Sequence, residues 1–341
     1  MNYFFSGKNW QFSLACTVLL ISGTTVLRAQ VPAGPNRPSA VPEGYVITPM
    51  GYFHESCIQQ LSEGDIIRKD EMAIEHKDGS FDPIPSCAFP HYTPAGEKVP
   101  LDGEGPVAEG KGALDGAGPE PPEIVHEYVS VAYMKKDLYY YGELRANWIV
   151  PPAPTSHDGQ TIFFFPGLED YRNANTTILQ PVLGWNATPA FKNVWSLASW
   201  NCCVNNTIQH SSFIPTATGH NIFGQIALRC TPGAPRCSSF EVNTVDYTTG
   251  KSTQLPQTSS FGLTFNWAFA GALEVYNISR CSDYPANSST EFYYLGLFDE
   301  DLQPVTQGWV PWKRWAGFTP QCHYGISGGD KGGLPYIKLS Y

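Results

Sequence analysis

The stretch FNWAFAGALEVY, residues 265–276, decides how the rest of the chain is interpreted. Bulky apolar side chains alternate with small ones along most of it, and side chains of a strand alternate between the two faces of a sheet. The stretch therefore predicts one long strand, with one face packed into a core and the other a shallow floor of alanines. Glu274 stands on that floor. We interpret it as a catalytic acid/base in a groove; the alternative is a solvated residue on an exposed sheet face.

Short strand-like runs occur on both sides of this stretch, from residue 126 to the end of the chain. Turn residues separate them, and residues 247–251 (YTTGK) have the composition of a hairpin turn. No sustained helical period interrupts the series. The pattern predicts an all-β fold, an antiparallel β-sandwich or concanavalin-like jelly roll, over residues 126–341.

The residues before this domain have a different character. Residues 1–29 combine Lys8, an apolar run and a small-residue cleavage site, which predicts a signal peptide. We therefore expect a soluble, secreted protein, extracellular or, in a bacterium, periplasmic. Residues 30–125 hold a small unit and a segment rich in Gly and Pro that is typical of a linker. We interpret residues 30–125 as a pro-segment-like unit; a plain accessory domain fits the same pattern.

Cysteine usage agrees with export. The chain has nine cysteines, of which Cys16 would leave with the signal peptide. An even number of cysteines in an exported chain predicts disulfides. Local spacing favours Cys57–Cys87 and Cys230–Cys237 and leaves the other pairings open. Neither a pair of CxxC motifs nor an HExxH motif occurs, so we expect no metal site and no cofactor.

The charge balance excludes several partners. The net charge is −10 at pH 7, and charged residues make up 15% of the chain. An acidic chain without a basic cluster is a poor nucleic-acid binder. The apolar run near the start is too short to span a bilayer. We expect neither a nucleic-acid nor a membrane partner, and we expect a monomer.

Two further stretches need an interpretation. Residues 325–329 (GISGG) match the G-x-S-x-G nucleophile motif, but glycines and a proline follow and no histidine lies downstream, so a Gly-rich loop is expected. Gln180 lies among apolar residues in a strand-like run. A buried glutamine needs hydrogen-bond partners, so the pattern alone favours a satisfied core amide or a polar residue on an edge face.

Taken in order, these landmarks resemble the eqolisins, the fungal acid glutamic peptidases. FPGLE (165–169) followed by ILQ (178–180) is similar to their W-x-G-I-D … I-L-Q stretch. NWIVP (147–151) and TTGK (248–251) resemble their T-W-x-V-P strand and T-T-G-Q hairpin, and ALEVY (272–276) falls where their last strand carries the catalytic Glu. The resemblance covers residues 143–285. The plant neprosins, also glutamic peptidases, are a more distant comparison through their exported, pro-segment-bearing layout.

The resemblance implies a jelly-roll sandwich with a concave groove and a catalytic dyad of Gln180 and Glu274. It also implies that Phe165 and Glu169 line the groove, where the family has Trp and Asp. These departures affect substrate preference more than chemistry. Residues 194–200 (VWSLASW) lie where the family has an aromatic strand. Its two tryptophans, Trp195 and Trp200, are candidate apolar walls for a polypeptide substrate.

The chemistry of such a dyad is coherent. Peptide hydrolysis without a metal or a nucleophilic side chain needs a base for water and a donor for the oxyanion. Glu274 and Gln180 would supply them, which makes a secreted acid endopeptidase the leading hypothesis. Two alternatives stay open: a glycan-active or glycan-binding jelly roll, and a non-catalytic secreted binding module. The dyad requires the side-chain amide of Gln180 to lie within one water of the Glu274 carboxylate on a concave face, and opposite faces would favour the binding module.

Overall fold

A computed structural model of the chain describes residues 37–68, 73–84, 86–99, 130–135, 140–170, 178–202, 207–305, 309–313 and 322–341. Nearly all regular structure in these ranges is extended, which confirms the all-β prediction. The signal segment 1–29 and the Gly/Pro-rich linker lie outside the described residues. The strands in chain order are β1 (Tyr45–Thr48), β2 (Gly51–His54), β3 (Ile58–Gln60), β4 (Ile66–Arg68), β5 (Ala73–Glu75), β6 (Phe81–Pro83), β7 (His91–Tyr92), β8 (Lys98–Val99), β9 (Ser130–Lys135), β10 (Tyr141–Ile149), β11 (Thr161–Glu169), β12 (Ile178–Trp185), β13 (Trp195–Cys202), β14 (Ile208–His210), β15 (Ile214–Thr216), β16 (Asn221–Leu228), β17 (Ser239–Asp246), β18 (Lys251–Ser259), β19 (Trp267–Tyr276), β20 (Ser289–Asp299), β21 (Val310–Lys313), β22 (Gly325–Lys331) and β23 (Leu334–Ser340). Short 3-10 turns occupy Glu55–Cys57, Pro189–Phe191 and Cys281–Asp283.

Two large sheets of the described strands form a sandwich. The nine-stranded sheet has the order β21-β9-β19-β11-β12-β13-β14-β3, with β15 also paired to β13. The seven-stranded sheet has the order β18-β17-β16-β10-β20-β23-β22. Their facing sides bury large apolar residues, each of which contributes about 1.5–3 kcal/mol when fully buried. The core between the sheets includes Trp148, Phe164, Leu273, Val275 and Phe292.

The central strand β19 carries one extra residue relative to both of its neighbours. On β11, Phe165 and Gly167 are two positions apart, yet they pair with Ala272 and Phe269, which are three positions apart. The pairing of β19 with β9 shifts at the same place. An extra residue of this kind is a β-bulge, which leaves one residue unpaired and changes the phase of side-chain alternation.

The bulge corrects the predicted alternation of this strand. Trp267 and Phe269, before the bulge, share a face with Ala272 and Tyr276, after it. The face around Glu274 is therefore not a floor of alanines, because aromatic rings precede it on the same side. The opposite face of β19 packs into the interior of the sandwich and consists of Ala268, Ala270, Leu273 and Val275.

The small N-terminal unit packs against the nine-stranded sheet. Strands β1, β2, β7 and β8 form one small sheet and β4, β5 and β6 another. β3 pairs in parallel with β14 and so extends the nine-stranded sheet. The hairpin of β1 and β2 covers the outer face of that sheet, where its apolar side chains join a common core with it: Tyr45, Val46, Ile47, Tyr52 and Phe53.

Both predicted disulfides form, Cys57–Cys87 within the N-terminal unit and Cys230–Cys237 within the sandwich. A third, Cys281–Cys322, joins residues whose pairing the spacing left open. Among the described residues, no helix is both long and apolar enough to cross a membrane.

The Gly-rich loop expected at residues 325–329 is in fact strand β22, which pairs with β23 along its full length. Two glycines make the connecting turn, Gly332 at φ 66° and Gly333 at φ 86°. Positive φ suits glycine in tight hairpin turns, so the glycines that suggested a loop instead close a hairpin. The predicted turn at residues 247–251 is confirmed, with the Gly250 N–H donating to the Asp246 carbonyl at 2.8 Å.

We predict that Gly271→Ala destabilises the sandwich by about 1–3 kcal/mol, a magnitude typical of overpacking. A Cβ at Gly271 would lie 2.4 Å from the ring of Phe292 in the facing sheet, and that ring is fully buried. Denaturant unfolding measures the change. Gly325→Ala is the matched control, because its added Cβ meets nothing closer than 3.9 Å. Equal unfolding midpoints for the two variants would contradict the packing of the bulge.

Candidate active site

The outer face of the nine-stranded sheet, under the β1–β2 hairpin, collects most of the predicted site residues. We call it the hairpin face and define it by Phe165, Gln180, Trp200, Ala272 and Glu274. All five side chains are at least 95% buried. Gln180 and Glu274 share this face, because Val182 and Ala272, each two positions away along the same strand, belong to the core on it.

Glu274 lies near the end of β19, beside Phe163 of β11. Only 3% of it is exposed. The Tyr276 hydroxyl hydrogen-bonds to Glu274 Oε1. Because side chains two positions apart in a strand share a face, the local sequence alone sets this contact. A buried carboxylate needs such donors, since an unpaired buried charge is strongly unfavourable.

Gln180 lies on β12, on the other side of β11 from Glu274. Leu179 pairs with Leu168, so Gln180 lies level with Gly167, further along β11 than Phe163. The Gln180 Nε2 donates to the Pro49 carbonyl at 2.9 Å. Its Oε1 is buried and accepts no hydrogen bond from the described residues. Gln180 thus holds a peptide carbonyl and keeps an acceptor for a further donor.

The turn between β1 and β2 joins the two side chains. The Tyr276 Oη lies 2.8 Å from the Thr48 carbonyl oxygen and accepts from the Gly51 N–H at 2.8 Å. Gln180 holds the next carbonyl, that of Pro49. Consecutive carbonyls of one turn are therefore held by Gln180 and by the tyrosine that contacts Glu274. Gln180 thus contacts a peptide main chain directly, and Glu274 is linked to the same turn through the Tyr276 hydroxyl.

Glu169 lies on the same face, paired across β11 and β19 with Trp267. Burial raises the pKa of Glu169 well above its usual value, and the negative charges of Glu274 and Asp170 raise it further. Asp170 is tied down by the Thr264 N–H, which donates to it at 2.9 Å. The face thus holds a Glu169 carboxyl that favours its neutral form beside Glu274.

The aromatic residues divide between the two faces. Trp200 pairs across β12 and β13 with Gln180 and packs on His210 and Phe213. Trp195 lies on the opposite face of β13, in the core between the sheets. It therefore does not join the other predicted substrate-binding residues, because an odd number of positions separates it from Trp200 along one strand.

Sequence reasoning missed Tyr276 and the turn at residues 48–51. Tyr276 ends the stretch that contains Glu274, and its position two residues later was a usable signal. No local signal connects residues 48–51 with β19, because the contact is made by folding over more than 200 positions. Among the described residues, no three His, Cys, Asp or Glu side chains gather so as to hold a metal ion.

No family model matches the chain, and no curated protein matches it by sequence. Solved structures of glutamic peptidases resemble it in three dimensions. One is scytalido-glutamic peptidase with a transition state analog inhibitor, 14% identical with a TM-score of 0.43, the match covering 63% of this chain and 98% of that one. Another is SCP-B, a member of the eqolisin family in complex with the tripeptide Ala-Ile-His, 14% identical with a TM-score of 0.41 and the same coverage.

A third is aspergilloglutamic peptidase from Aspergillus niger, 13% identical with a TM-score of 0.35, the match covering 53% of this chain and 98% of that one. Glutamic peptidases are thus among the solved structures to which the chain is similar in three dimensions.

We predict that Glu169→Gln raises the melting temperature at pH 7 more than at pH 4. The folded state holds the Glu169 proton more tightly than the unfolded chain, because its folded pKa is raised. The stability that this carboxyl contributes is thus present at low pH and is lost as the pH rises through its folded pKa. Glutamine does not ionise, so the variant keeps this stability at pH 7. Thermal unfolding at both pH values measures the change in melting temperature, and Glu63→Gln, at an exposed position, is the control. A gain independent of pH would contradict the raised pKa.

Proposed function

We propose that the protein is a secreted acid endopeptidase of the glutamic type, with Glu274 as general acid/base and Gln180 as oxyanion donor. One observation carries the proposal: Gln180 already donates to a peptide carbonyl, at 2.9 Å, on the buried face that holds Glu274. That distance is typical of an N–H···O hydrogen bond, so the amide can reach a peptide carbonyl oxygen on this face. The proposed substrate is accordingly a polypeptide main chain.

The proposed reaction uses only these two side chains and water. The Glu274 carboxylate takes a proton from water, and the water oxygen forms a bond to the carbonyl carbon of the scissile peptide. The carbonyl electron pair moves to the oxygen, where the Gln180 Nε2 donates to it. Glu274 then gives its proton to the amide nitrogen, the C–N bond breaks, and a carboxylic acid and an amine leave. The Gln180 Oε1, which the described residues leave without a donor, is suited to orient the water.

Acid conditions suit this site. A carboxylate with an ordinary pKa near 4 is both ionised and basic enough in mildly acid solution. The raised pKa of Glu169, caused first by burial, favours its neutral form under the same conditions. A neutral neighbour does not repel the negative charge that develops on the oxyanion.

We further propose that residues 30–125 are a pro-segment that blocks the site. The turn at residues 48–51 occupies both the Gln180 amide and the Tyr276 hydroxyl. The peptide there is a tight hairpin turn: Thr48 pairs with Gly51 at its end, and the Thr48 hydroxyl donates to the Gly51 carbonyl. A turn presents its carbonyl to Gln180 without the extended flanks of a substrate strand. The same contacts would hold a substrate once the hairpin leaves.

We predict that Gly51→Ala raises the proteolytic activity of the full chain. Gly51 adopts φ 111°, and an added Cβ would lie 2.1 Å from the Tyr92 carbonyl oxygen, so the hairpin cannot keep its place. Casein hydrolysis at pH 3–5 measures the change. The control is Gly79→Ala, also at positive φ but with nothing within 4 Å of the added Cβ. Equal activity in the two variants would count against a blocking role for the turn.

We predict that Glu274→Gln abolishes proteolysis and that Gln180→Ala lowers kcat by about 10²–10³-fold, as expected for loss of one oxyanion donor. Both are measured in the Gly51→Ala background, where the site is open. Gln209→Ala is the control, because it removes another buried amide, one that donates to Thr207 instead. Unchanged circular dichroism would show that the fold persists. Full activity in both dyad variants would overturn the proposed function.

A further inference from the structure

We infer that Tyr276 is a positioning residue that holds Glu274 in its ionised, water-activating form, and that the hairpin diverts this hydroxyl. The inference rests on the proposed function of Glu274. It starts from the three groups within hydrogen-bond distance of a single buried oxygen, Tyr276 Oη: Glu274 Oε1, the Thr48 carbonyl and the Gly51 N–H.

The Tyr276 ring is held in place independently of its hydroxyl. It is fully buried at the end of β19. Tyr52 of the hairpin packs edge-on against it at 5.4 Å between ring centres, and Phe163 of β11 does so at 6.1 Å. Burial and the charge of Glu274 raise the pKa of the Tyr276 hydroxyl well above its usual value. The hydroxyl therefore keeps its proton and acts as a neutral donor.

The hairpin competes with the Glu274 carboxylate for the proton of the Tyr276 hydroxyl. A tyrosine hydroxyl has one proton to donate. The Gly51 N–H is a donor, so it occupies acceptor capacity on the oxygen. The Thr48 carbonyl and an ionised Glu274 can both only accept, so they compete for the one proton of the Tyr276 hydroxyl. All three hydrogen bonds at the Tyr276 oxygen form together only if Glu274 carries a proton of its own and donates it to that oxygen. The docked hairpin thus favours protonated Glu274, the form that cannot act as a base.

Once the hairpin leaves, the Tyr276 hydroxyl no longer has the Thr48 carbonyl as an acceptor. Its proton is then donated to Glu274. A hydrogen bond to the charged form of an acid favours that form. Two further titratable groups face Glu274, Tyr52 from the hairpin and Glu169 from β11, and neither supplies a positive charge. Tyr276 would thereby keep Glu274 ionised at the acid pH where the enzyme works.

The test compares Tyr276→Phe with its parent, both in the Gly51→Ala background. We expect the acid limb of the kcat/KM profile to move up by about 1–2 pH units, the shift that corresponds to loss of one hydrogen bond to a charged group. Activity should fall much more at pH 3 than at pH 6. The control is Tyr341→Phe, which removes a buried hydroxyl that bonds two neutral side chains, those of Thr290 and Asn287. An acid limb that stays in place would overturn the inference.

A second measurement does not depend on activity. In the Gly51→Ala background, where Tyr276 stabilises ionised Glu274, Tyr276→Phe should lower the unfolding midpoint more at pH 6 than at pH 3, whereas Tyr341→Phe should lower it equally at both. If no form hydrolyses peptides but this pH difference appears, the proposed function fails and the pairing of Tyr276 with Glu274 stands. If hydrolysis occurs and neither pH effect appears, the inference about Tyr276 fails alone. Tyr52→Ala, which removes the ring packed on Tyr276, replaces Gly51→Ala if the latter does not fold.

Discussion

The one extra residue in β19 is the constraint on which the site depends. Ala268 and Ala270 face the interior of the sandwich. Strict alternation from them would carry Glu274 into the same interior, among fully buried apolar residues such as Leu273 and Phe292. A carboxylate there would have no polar partner, which is strongly unfavourable. The bulge reverses the phase, so that Glu274 and Tyr276 face outward and Leu273 and Val275 face inward.

The same bulge needs small residues at its centre. Ala270 is fully buried, and Gly271 lies so close to Phe292 that no larger side chain fits. The small residues at these positions serve close approach of the two sheets rather than an open floor for a substrate. Local backbone irregularity and the placement of a functional carboxylate are thus one feature, as is common for bulges near active sites.

The hairpin face holds buried polar side chains, and the largely apolar β1–β2 hairpin covers it. Gln180, Glu169 and Glu274 lie buried on this face, and the hairpin side chains that pack into its core are mostly apolar. Buried polar groups need partners, and here the backbone of the turn at residues 48–51 supplies them. Whatever replaces the hairpin must bring carbonyl and N–H groups in similar places. A peptide main chain carries both, so the proposed inhibitory contact and the proposed substrate contact can use the same side chains.

The sequence by itself determined the all-β class, two disulfides and the hairpin turn at residues 247–251, and it singled out Gln180 and Glu274 as candidate site residues. Each depends on local composition, spacing or a resemblance in the order of short motifs. It also suggested that Trp195 joins Trp200, and that residues 325–329 form a loop. Alternation along β13 separates the two tryptophans, and pairing with β23 makes the loop a strand.

Only the tertiary structure decided the phase of β19 and the occupant of the hairpin face. A bulge is defined by what neighbouring strands do, since β11 and β9 must both skip a residue for it to exist. The contact between Gly51 and Tyr276 joins residues 225 positions apart, and no periodicity in either segment encodes it. Strand periodicity depends on the local sequence, whereas the hydrogen-bond partners of a buried hydroxyl depend on how distant segments pack.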